Sequence, residues 1–185
     1  QKIDSLEQAL ESLYLFYLFK CRYEEGETTF QQAATAVTMM QPAGRQGVLW
    51  AKLLARQGSM TSWGIMRSGN GAAAQKSAVL YQQSLAILQQ LDVREESGFA
   101  LAGLCAYFRD LGDSSQALTV GRQALAIFME QNDLWGVRFM LNELGFINCG
   151  AGRYQEALQY YQQGLVLCEQ RGDLIYRADT LNGIG

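Results

Sequence analysis

The sequence offers few residues that could carry out catalysis. Its 185 residues include no histidine, which removes the commonest general base and a common metal ligand. Two pairs of carboxylates, at 24–25 and 95–96, are adjacent in sequence. Their side chains therefore diverge on a helix, and we interpret both pairs as solvated faces. The segment 69–71 lacks the lysine and the preceding strand of a phosphate-binding loop. We expect no enzyme activity, no cofactor and no metal site.

Two asparagines are better suited to binding than to catalysis. Asn142 and Asn182 lie forty positions apart in similar surroundings. Because an asparagine amide both donates and accepts hydrogen bonds, the two side chains together could hold the extended backbone of a partner. Alternatively, they are solvated or bond only within the protein. The sequence leaves both interpretations open.

These asparagines belong to a repeat of forty residues. Residues 134–145 and 174–185 share leucine, asparagine and glycine at matching places, and the match extends backwards without a gap. Ten of the 35 pairs formed by 111–145 and 151–185 are identical, well above chance. A fixed period between about 20 and 50 residues indicates a stacked array of repeats.

The composition favours helices throughout. The chain has a single proline, and alanine, leucine and glutamine are abundant. A net charge of −3 gives no support to nucleic-acid binding. No run of 18 apolar residues is present, so we expect no membrane-spanning segment. The sequence predicts an all-α protein located in the cytoplasm.

Helical spacing and turn residues divide the chain into antiparallel helix pairs, because short connections reverse the direction of the chain. We expect one array over 1–185, with pairs at 5–40, 48–91, 94–131, 134–170 and a partial pair at 174–185. Gly26 is predicted to separate the first two helices. Asp133 and Asp173 are predicted to cap the helices that follow them.

The four cysteines show no Cys-x-x-Cys pairing and lie far apart, at Cys21, Cys105, Cys149 and Cys168. This spacing suits reduced, buried thiols that act as small apolar groups. Because Cys105 and Cys149 fall on the first helices of adjacent repeats, a disulfide between them stays open.

The helix pairs resemble the tetratricopeptide repeat. The family's large and small positions correspond here to Leu141, Leu144, Gly145, Asn148, Ala157, Tyr161 and Gly164. Small residues in such pairs let two helix axes come close while large ones fill the space beside them. Asn148 stands where the family has an aromatic residue, and the period exceeds the usual 34, which makes HEAT-like repeats the alternative. The resemblance implies a right-handed superhelix of stacked antiparallel helix pairs.

A more specific phrase spans 133–145, where Asp-Leu-Trp-Gly-Val is followed by Leu-Asn-Glu-Leu-Gly. It is similar to the long-period repeats C-terminal to the ATPase module of large bacterial transcriptional activators of the signal-transduction ATPase class. The resemblance implies a sensor or docking region, with nucleotide and DNA binding in other domains. Since the sequence begins at Gln1 without a signal-like region and stops inside a repeat, we expect a fragment of a longer bacterial protein.

The resemblance also implies where a ligand would bind, because the first helices of tetratricopeptide pairs line the concave surface. The corresponding groove residues are Phe99, Ala102, Ala106, Arg109, Phe139, Asn142, Glu143, Phe146, Asp179 and Asn182. Alternatively, Phe139 and Phe146 pack against a neighbouring helix. No lysine follows Lys76, so the predicted groove is not basic and we expect an apolar or mixed ligand.

Three functions fit this pattern. The first is binding of a protein or peptide, and the second is sensing of a small-molecule inducer. A closed apolar pocket near Phe99, Phe139 and Phe146 would favour the inducer, and an open channel would favour the peptide. The third is a homodimer formed through the cut C-terminal helix. There Leu181 and Ile184 would form an apolar flank, because repeat arrays need polar caps.

Overall fold

The computed structural model describes residues 2–39, 43–68 and 71–171, and the regular structure in these ranges is entirely helical. Eight α-helices and one short 3-10 helix follow one another as α1 (Lys2–Phe19), α2 (Tyr23–Thr38), α3 (Arg45–Ser68), α4 (Gly71–Gln90), the 3-10 helix (Arg94–Ser97), α5 (Gly98–Asp110), α6 (Ser114–Glu130), α7 (Leu134–Gly150) and α8 (Tyr154–Arg171). The predicted all-α class is confirmed. None of these helices is long and apolar enough to cross a membrane.

The chain divides into two compact units, residues 1–103 and 104–185. Unit 1 contains α1 to α4, the 3-10 helix and the beginning of α5. Unit 2 contains the rest of α5 and α6 to α8. The single array over 1–185 stays a prediction. The partial pair at 174–185 and the predicted cap Asp173 lie outside the described residues.

The core of unit 1 forms where α2 and α4 pack against α3. On α2 the buried residues are Gly26, Phe30, Ala34 and Val37, whose spacings of four, four and three place them on one face of the helix. Phe30 is among the most deeply buried side chains of the protein. Burying an aromatic side chain of this size contributes about 1.5–3 kcal/mol.

Gly26 does not separate the first two helices, and this prediction is wrong. It lies buried inside α2, and a Cβ atom at this position would be 2.7 Å from Met60 Sδ and 3.0 Å from Tyr17 Cβ. Glycine is present here because α2 approaches its neighbours closely. The chain turns earlier, at Cys21, whose φ of +53° is left-handed. Consequently α1 ends at Phe19, and α2 begins at Tyr23.

The turns from α4 onwards share one geometry. Left-handed residues occur at Asp92, Gly112, Asn132 and Gly152, which are spaced twenty positions apart, half of the sequence repeat. In unit 2 the residue after each left-handed residue donates its backbone N–H to the carbonyl oxygen five residues back. These hydrogen bonds, each 2.9 Å long, run from Asp113 to Phe108, from Asp133 to Phe128 and from Arg153 to Asn148. Such a bond satisfies a carbonyl group that the end of a helix leaves free.

Aspartates cap the helices after two of these turns. A side-chain oxygen of Asp133 accepts hydrogen bonds of 3.1 Å from the backbone N–H groups of Trp135 and Gly136, so the predicted cap is confirmed. Asp113 does the same for α6, accepting 3.0 Å from the backbone N–H of Gln116. An N-cap of this kind stabilises its helix by about 1 kcal/mol.

Asn148 is a fully buried polar residue where the tetratricopeptide pattern expects an aromatic one. Its Nδ2 donates to the carbonyl oxygen of Leu144 at 2.7 Å, and its Oδ1 accepts from Arg153 Nε at 2.8 Å. Because both ends of the amide are bonded, burial costs Asn148 little. The Asn148 side chain therefore stabilises the turn between α7 and α8.

Glycine and tyrosine pack closely together in each unit. In unit 1 a Cβ atom on Gly103 would lie 2.2 Å from Tyr81 Cζ. In unit 2 a Cβ atom on Gly145 would lie 2.6 Å from Tyr161 Cε1. Both tyrosines are buried, so their rings have little room to move aside. The small residue predicted at Gly145 thus accommodates a ring of α8.

Replacing Gly145 with leucine tests this contact. The free energy of unfolding of Gly145→Leu, measured by urea denaturation, is expected to fall by about 1–3 kcal/mol or more because the side chain overpacks against Tyr161. The matched control is Gly150→Leu near the end of the same helix, where a Cβ atom would have no neighbour within 4 Å. The control is expected to stay within about 0.5 kcal/mol of wild type. Equal losses in both variants would contradict the close approach of α7 and α8.

Candidate binding surface

One face of α7 combines aromatic and amide side chains. Trp135, Phe139, Asn142 and Phe146, here called the α7 stripe, follow at spacings of four, three and four, which places them on a single face of the helix. Trp135 is 44% exposed and Phe146 is 61% exposed, whereas Phe139 and Asn142 are half-buried. Other residues of α7, including Met140, Leu141 and Leu144, are buried. The helix is therefore anchored by one face and presents aromatic surface on another.

The start of the stripe is a stacked pair of rings. Trp135 and Phe139 lie with ring centroids 5.5 Å apart and planes inclined by 2°. Such pairs gain about 0.5–1.5 kcal/mol beyond the burial of their area. Asp133 fixes the first turn of α7 beneath them. Trp135 is absent from the residues predicted for the groove, although an aromatic residue four positions before Phe139 was a usable signal.

The other end of the stripe lies beside a charged cluster. Arg109 of α5 forms ion pairs with Glu143 of α7 and, at 2.8 Å, with Asp110. Its guanidinium carbon also lies 5.9 Å from the centroid of the Phe146 ring. Three predicted groove residues, Arg109, Glu143 and Phe146, are thus brought together. Two carboxylates thus neutralise the charge of Arg109.

Burial raises the pKa of the Glu143 carboxyl above its ordinary value of 4.5, and the positive charge of Arg109 opposes this shift without cancelling it. Asp110 adds to the upward shift through its negative charge. The folded state therefore holds the Glu143 proton more tightly than the unfolded state does. The contribution of Glu143 to stability is consequently largest below pH 4.5 and falls as the pH rises through the pKa of the folded state.

Of the predicted groove residues of unit 1, Phe99 is half-buried and Ala102 is buried. The ring of Phe99 packs against Tyr14, with centroids 5.4 Å apart, and covers the guanidinium of Arg56. Ala102 is only 7% exposed. The assignment of these two residues to the groove stays a prediction. Ala106 is half-buried on α5 in unit 2.

Several other predictions concern residues at the C-terminal end. Asp179 and Asn182 lie outside the described residues, as do Leu181 and Ile184 of the predicted apolar flank. The clamp formed by two asparagines and the homodimer through the last helix therefore stay predictions. The half-buried Asn142 is the described member of the asparagine pair.

The cysteines are free thiols where the structure describes their side chains. Cys105 is buried and Cys149 is half-buried, and no disulfide joins them. Burial raises the pKa of the Cys105 thiol to about 12, so it is protonated at neutral pH. Cys21 is exposed at the turn between α1 and α2, which corrects its prediction as a buried thiol. The side chain of Cys168 lies outside the described part of the chain.

The pKa of Glu143 provides a test of the charged cluster. Measured by carbon-13 NMR of the side-chain carboxyl, it is expected above 4.5 in the wild-type protein. Arg109→Gln is expected to raise it further because a neighbouring positive charge is lost. Asp110→Asn, a substitution on the same side of the cluster, is expected to lower it because a negative charge is lost. A pKa that moves in neither variant would contradict this arrangement.

Comparisons with known proteins bear on the fold. No family model matches the chain, and no curated protein matches it. Among solved structures, the chain is similar to the crystal structure of BtubC (BKLC) from P. vanneervenii, with a TM-score of 0.78 and 15% sequence identity. The match covers 98% of this chain and 71% of that chain. At this identity the similarity shows a shared helical fold.

Proposed function

We propose that this protein is a non-catalytic scaffold that binds a protein or peptide through the α7 stripe. The supporting observation is the exposure of Phe146 and Trp135 on one face of a helix that is otherwise well anchored. Exposed aromatic side chains are enriched in the centres of protein interfaces, where they bury large area at a low cost in conformational entropy. A partner that covered both rings would remove their apolar surface from water.

The residues of the α7 stripe and the ion pairs beside it indicate which kind of partner would bind. Arg109 is already paired with Glu143 and Asp110, so an acidic partner would have to compete with two carboxylates. An apolar side chain meets no such competition at Phe146 or at the stacked pair of Trp135 and Phe139. The proposed partner is therefore a segment with apolar anchors, and Asn142 would contact its polar groups. Such a segment could be an amphipathic helix or an extended peptide.

The exposure of Phe146 also favours a peptide over a small-molecule inducer. A small-ligand site is concave and buries most of the surface of its ligand. Phe146 is 61% exposed, which is unsuited to the closed pocket that an inducer would require. A long partner tolerates such a site because it gains contacts along the whole stripe.

The resemblance of 133–145 to repeats of bacterial transcriptional activators suggests the setting of this interaction. In that class the repeats sense or dock a partner while other domains bind nucleotide and DNA. We extend the proposal to the same role, a docking region within a larger regulator. The similarity to BtubC (BKLC) supports the helical architecture on which such a surface is built.

Peptide selection tests the proposed surface. A library of random peptides displayed on phage is selected on the wild-type protein, and the dissociation constants of enriched peptides are measured by calorimetry. Phe146→Ser is expected to weaken these peptides about tenfold or more, because truncating a central aromatic anchor has effects of this size. Its melting temperature is expected to stay near that of wild type, since the ring is exposed.

The matched control for this experiment is Val166→Ser on α8. Val166 is also an exposed apolar side chain, at 51%, but it is not part of the α7 stripe. Its replacement is expected to leave peptide affinity within about twofold of wild type, as surface substitutions outside an interface usually do. Failure to enrich any peptide, or equal affinity for wild type and Phe146→Ser, would contradict the proposal.

A further inference from the structure

A buried arginine occupies the interior of unit 1. Arg56 of α3 is only 8% exposed, although a charged side chain is costly to remove from water. Its guanidinium carbon lies 3.5 Å from the centroid of the Phe99 ring and 5.1 Å from that of Tyr14. The hydroxyl of Tyr14 is held by Ser59 at 3.0 Å. The two rings therefore hold the guanidinium in a defined orientation.

The hydrogen bonds of Arg56 are incomplete. Its Nη2 donates to one carboxylate oxygen of Glu11 on α1. Its Nε is buried and has no hydrogen-bond partner among the residues that the structure describes. A guanidinium binds a carboxylate best when Nε and Nη2 donate in parallel to the two carboxylate oxygens. Glu11 therefore accepts from only one of these two nitrogens, Nη2, and leaves the buried Nε–H of Arg56 without a partner.

Glu11 is suited to leave this position. Its side chain is 52% exposed, whereas that of Arg56 is 10% exposed. When Glu11 releases Arg56, its carboxylate can return to water, but the arginine cannot be solvated in the same way. The buried positive charge then requires another anion. The exposed side chain is the replaceable member of the pair.

We infer that Arg56 is a binding site for the carboxylate of a small organic acid, and that Glu11 occupies the site in the absence of this ligand. The two ligand oxygens accept hydrogen bonds from Nε and Nη2 of Arg56, so the unpaired donor gains a partner. Glu11 competes with the ligand from within the chain and sets the concentration at which it binds. Because Arg56 is so little exposed, the site suits a small acid better than the surface of a protein.

This site lies entirely within unit 1 and rests on no part of the proposed peptide surface. A neighbouring ion pair shows the contrast. Arg45 of α3 and Glu7 of α1 also form an ion pair, with Nη2 2.6 Å from Oε2, but there the arginine side chain is 59% exposed. Water solvates that guanidinium whether or not Glu7 is present. Removing one negative charge from α1 should therefore strengthen carboxylate binding at Arg56 when Glu11 is replaced, and leave it unchanged when Glu7 is replaced.

NMR of the arginine side chains tests the inference directly. The Nε–H signal of Arg56, assigned by its loss in Arg56→Lys, is followed as sodium acetate is added, with sodium chloride at equal ionic strength as the reference. A saturable downfield shift is expected with acetate and not with chloride. In Glu11→Gln, which removes the competing charge, half-saturation is expected at about tenfold lower acetate. Glu7→Gln, with the same change in net charge, is expected to behave as wild type.

Two results would overturn the inference. One is an Nε–H signal that acetate leaves unmoved in both wild type and Glu11→Gln. The other is an equal gain in acetate affinity in Glu11→Gln and Glu7→Gln, which would indicate a general effect of charge. Both glutamine variants keep the size of the side chain that they replace on α1, so the comparison stands even where Arg56→Lys does not fold. In that case the Arg56 signal is assigned by through-bond correlation to its backbone.

Discussion

The reversal of the chain at the described turns of unit 2 is the constraint on which the packing of its helices depends. In unit 2 a backbone N–H donates to a carbonyl five residues back, as between Asp133 and Phe128 at 2.9 Å. The preceding residue must be left-handed, which Gly112 and Gly152 adopt at little cost and Asn132 adopts as the most tolerant of the larger residues. Each helix therefore ends at a fixed place. The next helix therefore starts with a fixed rotation about its axis, here called its phase, and this rotation decides which of its side chains are buried.

The phase of α7 explains both its packing and its exposed aromatic residues. Once Asp133 has capped the helix, the positions that contain Met140, Leu141 and Leu144 turn inwards, and Gly145 accommodates the ring of Tyr161. The same rotation leaves Trp135 and Phe146 facing water. A one-residue slip would rotate the helix by about 100° and exchange these roles. The stripe is thus a consequence of the turn, fixed by one cap and one backbone hydrogen bond.

Much of this could be predicted from the sequence, because caps, turns and the large–small pairing of repeats are local patterns. Asp133 and Gly145 were identified in this way. Gly26 was not, because glycine indicates a helix end or a close contact equally well, and the deciding neighbour, Met60, lies on another helix. Likewise, Phe99 has the residue type of a groove wall. Its ring also lies against Arg56, forty-three positions earlier in the chain, and the residue type alone does not reveal this contact. Such long-range contacts leave no trace in a single sequence.

The buried Arg56 and the half-buried Arg109 show how similar side chains acquire different chemistry. Arg109 lies beside an aromatic ring and is paired with two carboxylates, Glu143 and Asp110. Its charge is neutralised within unit 2, which leaves the adjacent ring as the attractive feature and favours an apolar partner. Arg56 lies against two rings but is paired with one carboxylate through one nitrogen. Its remaining donor is unsatisfied within unit 1, and an unsatisfied buried donor favours an anion. The number of carboxylates around each guanidinium therefore distinguishes a surface that selects apolar side chains from a site that selects negative charge.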